Sequence, residues 1–151
     1  MSLLYVKQIK NHTKAIKQCV LLIENIKILI EYKNLSVKEI FEEISNTNSY
    51  NLLVFLDNIK YGINEYHQTL NNVFSKGNSL NMFDLDDVEH LKGFFSMLGK
   101  SDTSGQILNC NLYKNLFEKK YLQLEEKENS KCKSTATITL GIGLLFSIIV
   151  I

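Results

Sequence analysis

A chain of 151 residues, 45% apolar and 22% charged, is long enough for one domain with a hydrophobic core and has globular rather than disordered composition. The net charge of +1, with lysines interleaved with acids, offers no basic face for nucleic acid, and the absence of arginine excludes an arginine finger or a bidentate guanidinium clamp on phosphate. Proline, the commonest helix breaker, is also absent, and the three cysteines, Cys19, Cys110 and Cys132, are odd in number with no CxxC pair, against both a disulfide framework and a zinc site.

The first helix is predicted from about Leu4 to Asn34. There Ile9, Ile16, Val20, Ile23, Ile26 and Ile30 recur mostly at three and four residues and form one apolar stripe. The apolar patch Leu3 to Val6 is too short for the hydrophobic region of a signal peptide. Ser36-Val37-Lys38-Glu39 reads as a capping box, in which the serine oxygen takes the Glu39 amide and the Glu39 carboxylate reaches back to Ser36. The short helix behind it is predicted to bury Val37, Ile40, Phe41 and Ile44, and the polar run Ser45 to Ser49 is a loop by composition. Leu52, Leu56, Ile59, Ile63, Tyr66, Leu70 and Val73 then alternate steps of four and three residues. That spacing predicts one helix with a narrow packing seam, bent at Gly62 and closed by Gly77-Asn78-Ser79.

The next helix starts near Asp84. Asp84, Asp86 and Asp87 crowd its first turn, where the positive end of the helix dipole favours carboxylates. Leu85, Val88, Leu91, Phe95 and Leu98 are predicted to face inward, and Gly99 ends the helix. Thr103 and Gln106 read as a second capping box. The last helix carries Cys110, Tyr113, Phe117, Tyr121 and Leu124 on one stripe, with a charged opposite face from Glu118 to Lys133. Residues 134–151, STATITLGIGLLFSIIVI, hold no charge. At 1.5 Å per residue they span about 27 Å, close to the thickness of a bilayer's hydrocarbon core. Lys131 and Lys133 stand just before this run, which by the positive-inside rule puts the preceding domain in the cytosol. Thr139, Gly143 and Ser147 share one face of it, as do Thr137 and Gly141, and small residues at that spacing let another membrane helix approach closely. The expected fold is all-α: an antiparallel helical bundle over 1–133, followed by a transmembrane helix over 134–151.

No catalytic constellation emerges. His12, His67 and His90 read as isolated surface or hydrogen-bonded histidines, and the aspartates as helix capping, since no EF-hand spacing follows. There is neither a P-loop nor a nucleophile elbow, so no enzyme activity, cofactor or metal is expected. The turn Leu98-Gly99-Lys100-Ser101-Asp102, followed by Gln106, carries both Ser101 and Asp102 where a single cap would serve. Gly99, Lys100, Ser101, Asp102 and Gln106 are therefore candidate partner-binding residues, with one carboxylate expected to be free for a partner.

That turn, the long charged helix after it, and a lysine-flanked apolar tail containing Leu140-Gly141-x-Gly143-Leu144 resemble the stage III sporulation protein AB family of endospore-forming bacteria. The family pattern is L-G-x-S-D-R-E-x-Q, then a helix, then an apolar tail. Upstream, Ile30-Glu31-Tyr32 and the capped helix from Ser36 to Phe41 are similar to the family's I-x-Y-x-x-x-P-L-x-E-A-L stretch, and the resemblance runs from about Gln8 to the end. Thr103-Ser104 stand where the family has R-E, and Ser36 where it has proline. The family's N-terminal membrane helix is matched here only by the patch Leu3 to Val6. The resemblance implies a soluble domain similar to the cytoplasmic domains of the type II secretion platform protein F. It implies a non-enzymatic scaffold in the mother-cell membrane facing the forespore, its domain in the cytosol. That scaffold would couple a secretion-type ATPase, stage III sporulation protein AA, to other membrane components of a channel complex. A tail-anchored helical regulatory module of another pathway is the alternative.

Overall fold

The computed structural model describes residues 2–75 and 77–150, with side chains described at 2–75 and 79–133. Among the described residues there are six α-helices and no strand: α1 Leu3–Ile28, α2 Val37–Ser45, α3 Phe55–Tyr61, α4 Tyr66–Ser75, α5 Leu85–Met97 and α6 Thr103–Val150. Helix α1 opens on a Ser2 cap, whose hydroxyl accepts from the Tyr5 amide at 3.4 Å. It continues into a π-helical turn, Leu29–Lys33, that still buries Leu29 and Ile30. Asn34 then stops it in the left-handed conformation at φ 50°, which asparagine tolerates better than most side chains. The predicted stripe is correct at Ile16, Ile23, Ile26 and Ile30, which are buried, but α1 also buries Ala15, Cys19 and Leu22. Helix α2 begins with the predicted capping box, Ser36 N and Oγ donating to Glu39 Oε2 at 2.8 and 2.7 Å. It buries Ile40, Phe41 and Ile44, while Val37 is half-buried.

The single helix predicted through 52–73 is instead two. Leu52 precedes α3 in a turn, and the chain breaks at Gly62, passing through a 3₁₀ turn, Ile63–Glu65, into α4. Thr69 explains the break. Its hydroxyl donates to the Gly62 carbonyl at 2.8 Å, and its side chain fills the space a Cβ on residue 62 would occupy. Leu56, Ile59, Leu70 and Val73 are nevertheless buried, because the break preserves the side their seam faces.

Helix α5 starts on a reciprocal capping box that the dipole argument left out. The Asp87 amide donates to Asp84 Oδ1 at 3.0 Å, and the Asp84 amide donates to Asp87 Oδ2 at 3.1 Å. Leu91, Phe95 and Leu98 are buried as expected, and Val88 is half-buried. Leu85, expected inward, is 84% exposed. It is the first helical residue, and the capping box points it away from the bundle. Phe94 is the core residue missing from the predicted set.

Helices α1 and α6 lie antiparallel as the long axis of the bundle. Tyr5 meets Lys131, Glu24 pairs with Lys114 at 2.8 Å, and the Thr103 hydroxyl reaches Asn34 Oδ1 at 3.4 Å. The shorter helices close the core against this pair. Phe55 stands at its centre, with ring centroids 5.9 Å from Phe74 and Phe95 and 6.1 Å from Phe83. On α6 the predicted stripe holds: Cys110, Phe117 and Leu124 are buried, with Tyr113 and Tyr121 half-buried between them. Among the described residues no helix is long and apolar enough to cross a membrane. The expected membrane helix, 134–151, with Thr139, Gly143 and Ser147, lies outside the residues whose side chains are described.

Candidate functional site

The turn between α5 and α6 is built by the residues that sequence reasoning singled out. Leu98 anchors it in the core, and Gly99 reverses the chain at φ +78°. A Cβ on Gly99 would stand 2.6 Å from Val37 Cγ2, so glycine is required here by both conformation and space. Asp102 is the N-cap of α6, its Oδ1 accepting from the Gly105 amide at 2.9 Å. The expected capping box from Thr103 to Gln106 is therefore displaced by one residue. The Thr103 hydroxyl goes to Asn34 instead, and the Gln106 amide closes the turn: Oε1 accepts from Gly99 N at 3.0 Å, and Nε2 donates to the Ser101 carbonyl at 3.2 Å. Gly105 lets Ser101 fold over the first turn, where a Cβ would meet Ser101 Oγ at 2.7 Å. Lys100, Ser101 and Asp102 are exposed. The cap uses one oxygen of Asp102. The other oxygen and the Lys100 ammonium have no partner among the described residues, leaving one positive and one negative group exposed on the same turn.

A second cluster went unread because its members are far apart in sequence. His12 Nε2 lies 2.5 Å from Asp87 Oδ2, and Asp87 is only 1% exposed. Lys120 pairs with Asp84 and lies 3.5 Å from Asp87 Oδ1. His12 is thus not isolated; it ties α1 to α5, and Lys120 ties both to α6. Burial by itself would raise Asp84, but the hydrogen bond and charge of Lys120 more than offset it, and Asp84 sits below the usual carboxylate range. Lys120 is likewise raised: burial opposes the shift, and the Asp84 hydrogen bond with the charges of both aspartates overcomes it. His12, Asp84 and Asp87 bring three possible ligand atoms within 4.8 Å of one another. The Lys120 ammonium already holds the place of a cation between the two carboxylates. Both Asp87 oxygens also have partners, Oδ2 taking His12 and the Asp84 amide. Each member of this donor set already has a partner within it and the set joins three helices, which suits a structural ion cluster.

The thiols offer no nucleophile in the core. Burial raises Cys19 well above the ordinary thiol range and pushes Cys110 up to about 11, while Cys132 is exposed. His67 and His90 stack edge-on against Tyr66 and against Tyr113 and Phe117.

A family model described as stage III sporulation protein AB matches residues 1–151, the whole chain. The chain belongs to the stage III sporulation protein AB family. No curated protein and no solved structure gives a significant match. Membership of a stage III sporulation family supports a role in sporulation. One departure from the stage III sporulation protein AB pattern, at Thr103, has a structural correlate here, and so does Gly105, at a position the pattern leaves open. Thr103, where the pattern has arginine, takes the hydrogen bond to Asn34, and the Gly105 that follows makes room for Ser101.

Proposed function

We propose that this chain is a non-enzymatic, membrane-anchored scaffold of a secretion-like sporulation complex between mother cell and forespore. Residues 134–151 span the membrane, and the bundle in the cytosol couples a secretion-type ATPase, stage III sporulation protein AA, to other membrane components. The family match over the whole length carries this reading. Two features fit it. The charges of Lys100 and Asp102 sit at the far end of the bundle from residue 133, since the 30 steps from Thr103 to Lys133 rise about 45 Å along α6. A soluble partner would meet that end first. The His12–Asp87 pair, the kind of contact a catalytic site would use, is held in an inter-helix ion cluster.

Asp102→Asn tests the coupling. Asparagine caps a helix about as well as aspartate but carries no charge. With the full chain in vesicles, the variant is expected to melt as the wild type does while carrying markedly less purified ATPase to the top of a flotation gradient. Equal co-flotation by both would remove the turn from ATPase recruitment.

A further inference from the structure

Helix α1 is packed on almost every side. From Ile9 to Ile30 only Lys10, Lys14, Lys17, Leu21 and Ile28 are exposed, and Lys7 extends the row one step back. The steps are 3, 4, 3, 4 and 7 residues, so these side chains stand in a single line along the solvent side of the helix. The line is divided by chemistry. From Lys7 to Lys17, about 15 Å, it carries only lysines, and beyond them it carries Leu21, 52% exposed, and Ile28, 44% exposed. No Asp or Glu lies between Lys7 and Leu21, and none of the four lysines has an acidic partner among the described residues, whereas Lys33, Lys114 and Lys120 do. Like charges three and four residues apart on a helix repel, so the row weakens the helix that carries it. Beside the line runs an open groove of about 360 Å³, lined from α1 by Lys14, Lys17 and Leu21 and from the turn before α3 by Ser49, Asn51 and Leu52. Gln18 fixes the far wall. Its Nε2 donates to Asn51 Oδ1 at 2.7 Å, and its Oε1 accepts from the Leu52 amide at 3.0 Å.

We propose that this line is the docking site for an acidic helix of a protein partner. The partner's carboxylates, at three- and four-residue spacing, meet Lys7 to Lys17, and its apolar residues meet Leu21 and Ile28. Charge complementarity selects that occupant. A line one side chain wide fits a helix laid along α1. The lysines choose the helix and its register, while Leu21, Ile28 and the groove supply burial. An anionic bilayer on this side would also meet the carboxylates of Glu24 and Glu118, which flank the line where both hold Lys114. A second copy presenting the same line would set lysine on lysine, or lysine on Leu21 and Ile28, whichever way it ran. The site lies along the side of the bundle rather than at the α5–α6 turn, and it stands independently of the membrane-anchored reading.

The probe is a synthetic helical peptide that spans Lys7 to Ile28, with Glu facing the lysines and Leu facing Leu21 and Ile28. It is titrated by fluorescence anisotropy onto the full-length protein in neutral detergent micelles, beside a second peptide with Lys in place of each Glu. The Glu peptide is expected to bind, more weakly as salt is raised, and the Lys peptide not to bind. Lys10→Glu with Lys14→Glu is expected to weaken the Glu peptide by about tenfold or more and to let the Lys peptide bind. Leu21→Ala weakens binding at every salt concentration, and Lys92→Glu, at an exposed lysine of α5, leaves it unchanged. All these positions are exposed, and circular dichroism checks that each variant keeps its helices. No binding of the Glu peptide, or equal losses from Lys92→Glu and the Lys10, Lys14 pair, would overturn the site. In cells, a photocrosslinking residue in place of Lys14 or Leu21 of the full chain is expected to join one protein through an acid-rich segment. Adducts to lipid alone, to another copy of the chain or to a segment without acids would contradict the proposal.

Discussion

Gly99 is held by two independent constraints, a positive φ and the wall formed by Val37, so Gly99→Ala is expected to destabilise the fold where a glycine-to-alanine change on an exposed helix would stabilise it. The left-handed conformation alone costs a non-glycine residue about 1–2 kcal/mol, and contact with Val37 adds to it. A denaturant titration that found Gly99→Ala as stable as wild type would contradict the geometry of the turn. Asp87 is the other sensitive residue. Its carboxylate receives His12, Lys120 and the Asp84 amide while almost wholly buried, so Asp87→Ala is expected to cost about 3 kcal/mol. That is the low end for breaking a buried ion pair, because His12 and Lys120 can turn toward water. Asp84 gives a pH signature. Its folded pKa lies below the value near 3.9 of an unfolded aspartate, so its stabilisation is complete above about pH 4 and is lost as the pH falls through the folded value. Melting temperatures between pH 7 and pH 3 are expected to fall less steeply for Asp84→Asn, which keeps the cap, than for the wild type; identical slopes would contradict the depressed pKa.

At the scale of elements, much was legible because the signals are local. The Ser36–Glu39 box, the stop at Gly99 and the stripe on α6 each depend on residues within a few positions of one another, and each is where the periodicity put it. The seam from Leu56 to Val73 was legible as a buried face with a bend at Gly62, and not as two helices. Its repeat survives the break at Gly62, and the cause, the Thr69 hydroxyl on the Gly62 carbonyl, leaves no mark in hydrophobic spacing. Capping at α6 was misassigned by one residue. A serine, an aspartate and a threonine in succession all qualify, and tertiary contact decided: Thr103 is taken by Asn34, which leaves Asp102 to cap. The buried seam makes a direct prediction. Ile59→Ala is expected to cost about 2–5 kcal/mol and Lys60→Ala close to nothing, since Ile59 is fully buried and Lys60 is exposed on the same short helix. Similar losses from both in a chemical denaturation series would refute the packing described for α3.

For the whole molecule, what sequence could not supply is the pairing of distant segments. His12 and Asp87 are 75 residues apart, and Tyr5 and Lys131 are 126 apart; neither pair has a local pattern, since the first joins α1 to α5 and the second joins α1 to its antiparallel partner α6. The same arrangement gives the bundle two distinct ends. One carries the exposed charges of the α5–α6 turn. The other carries the Tyr5–Lys131 contact and the start of the uncharged run, and the proposed scaffold uses them as partner face and membrane face. The membrane face is the more basic claim, because recruitment to a complex in the membrane depends on it. Membrane fractions washed with high salt and then alkaline carbonate, from cells making either the full chain or residues 1–133, test it most directly. The account predicts that the full chain stays in the washed membranes, while the shortened chain leaves them and keeps its helical circular dichroism. A full chain stripped off by the wash, or a shortened chain that remains, would contradict it.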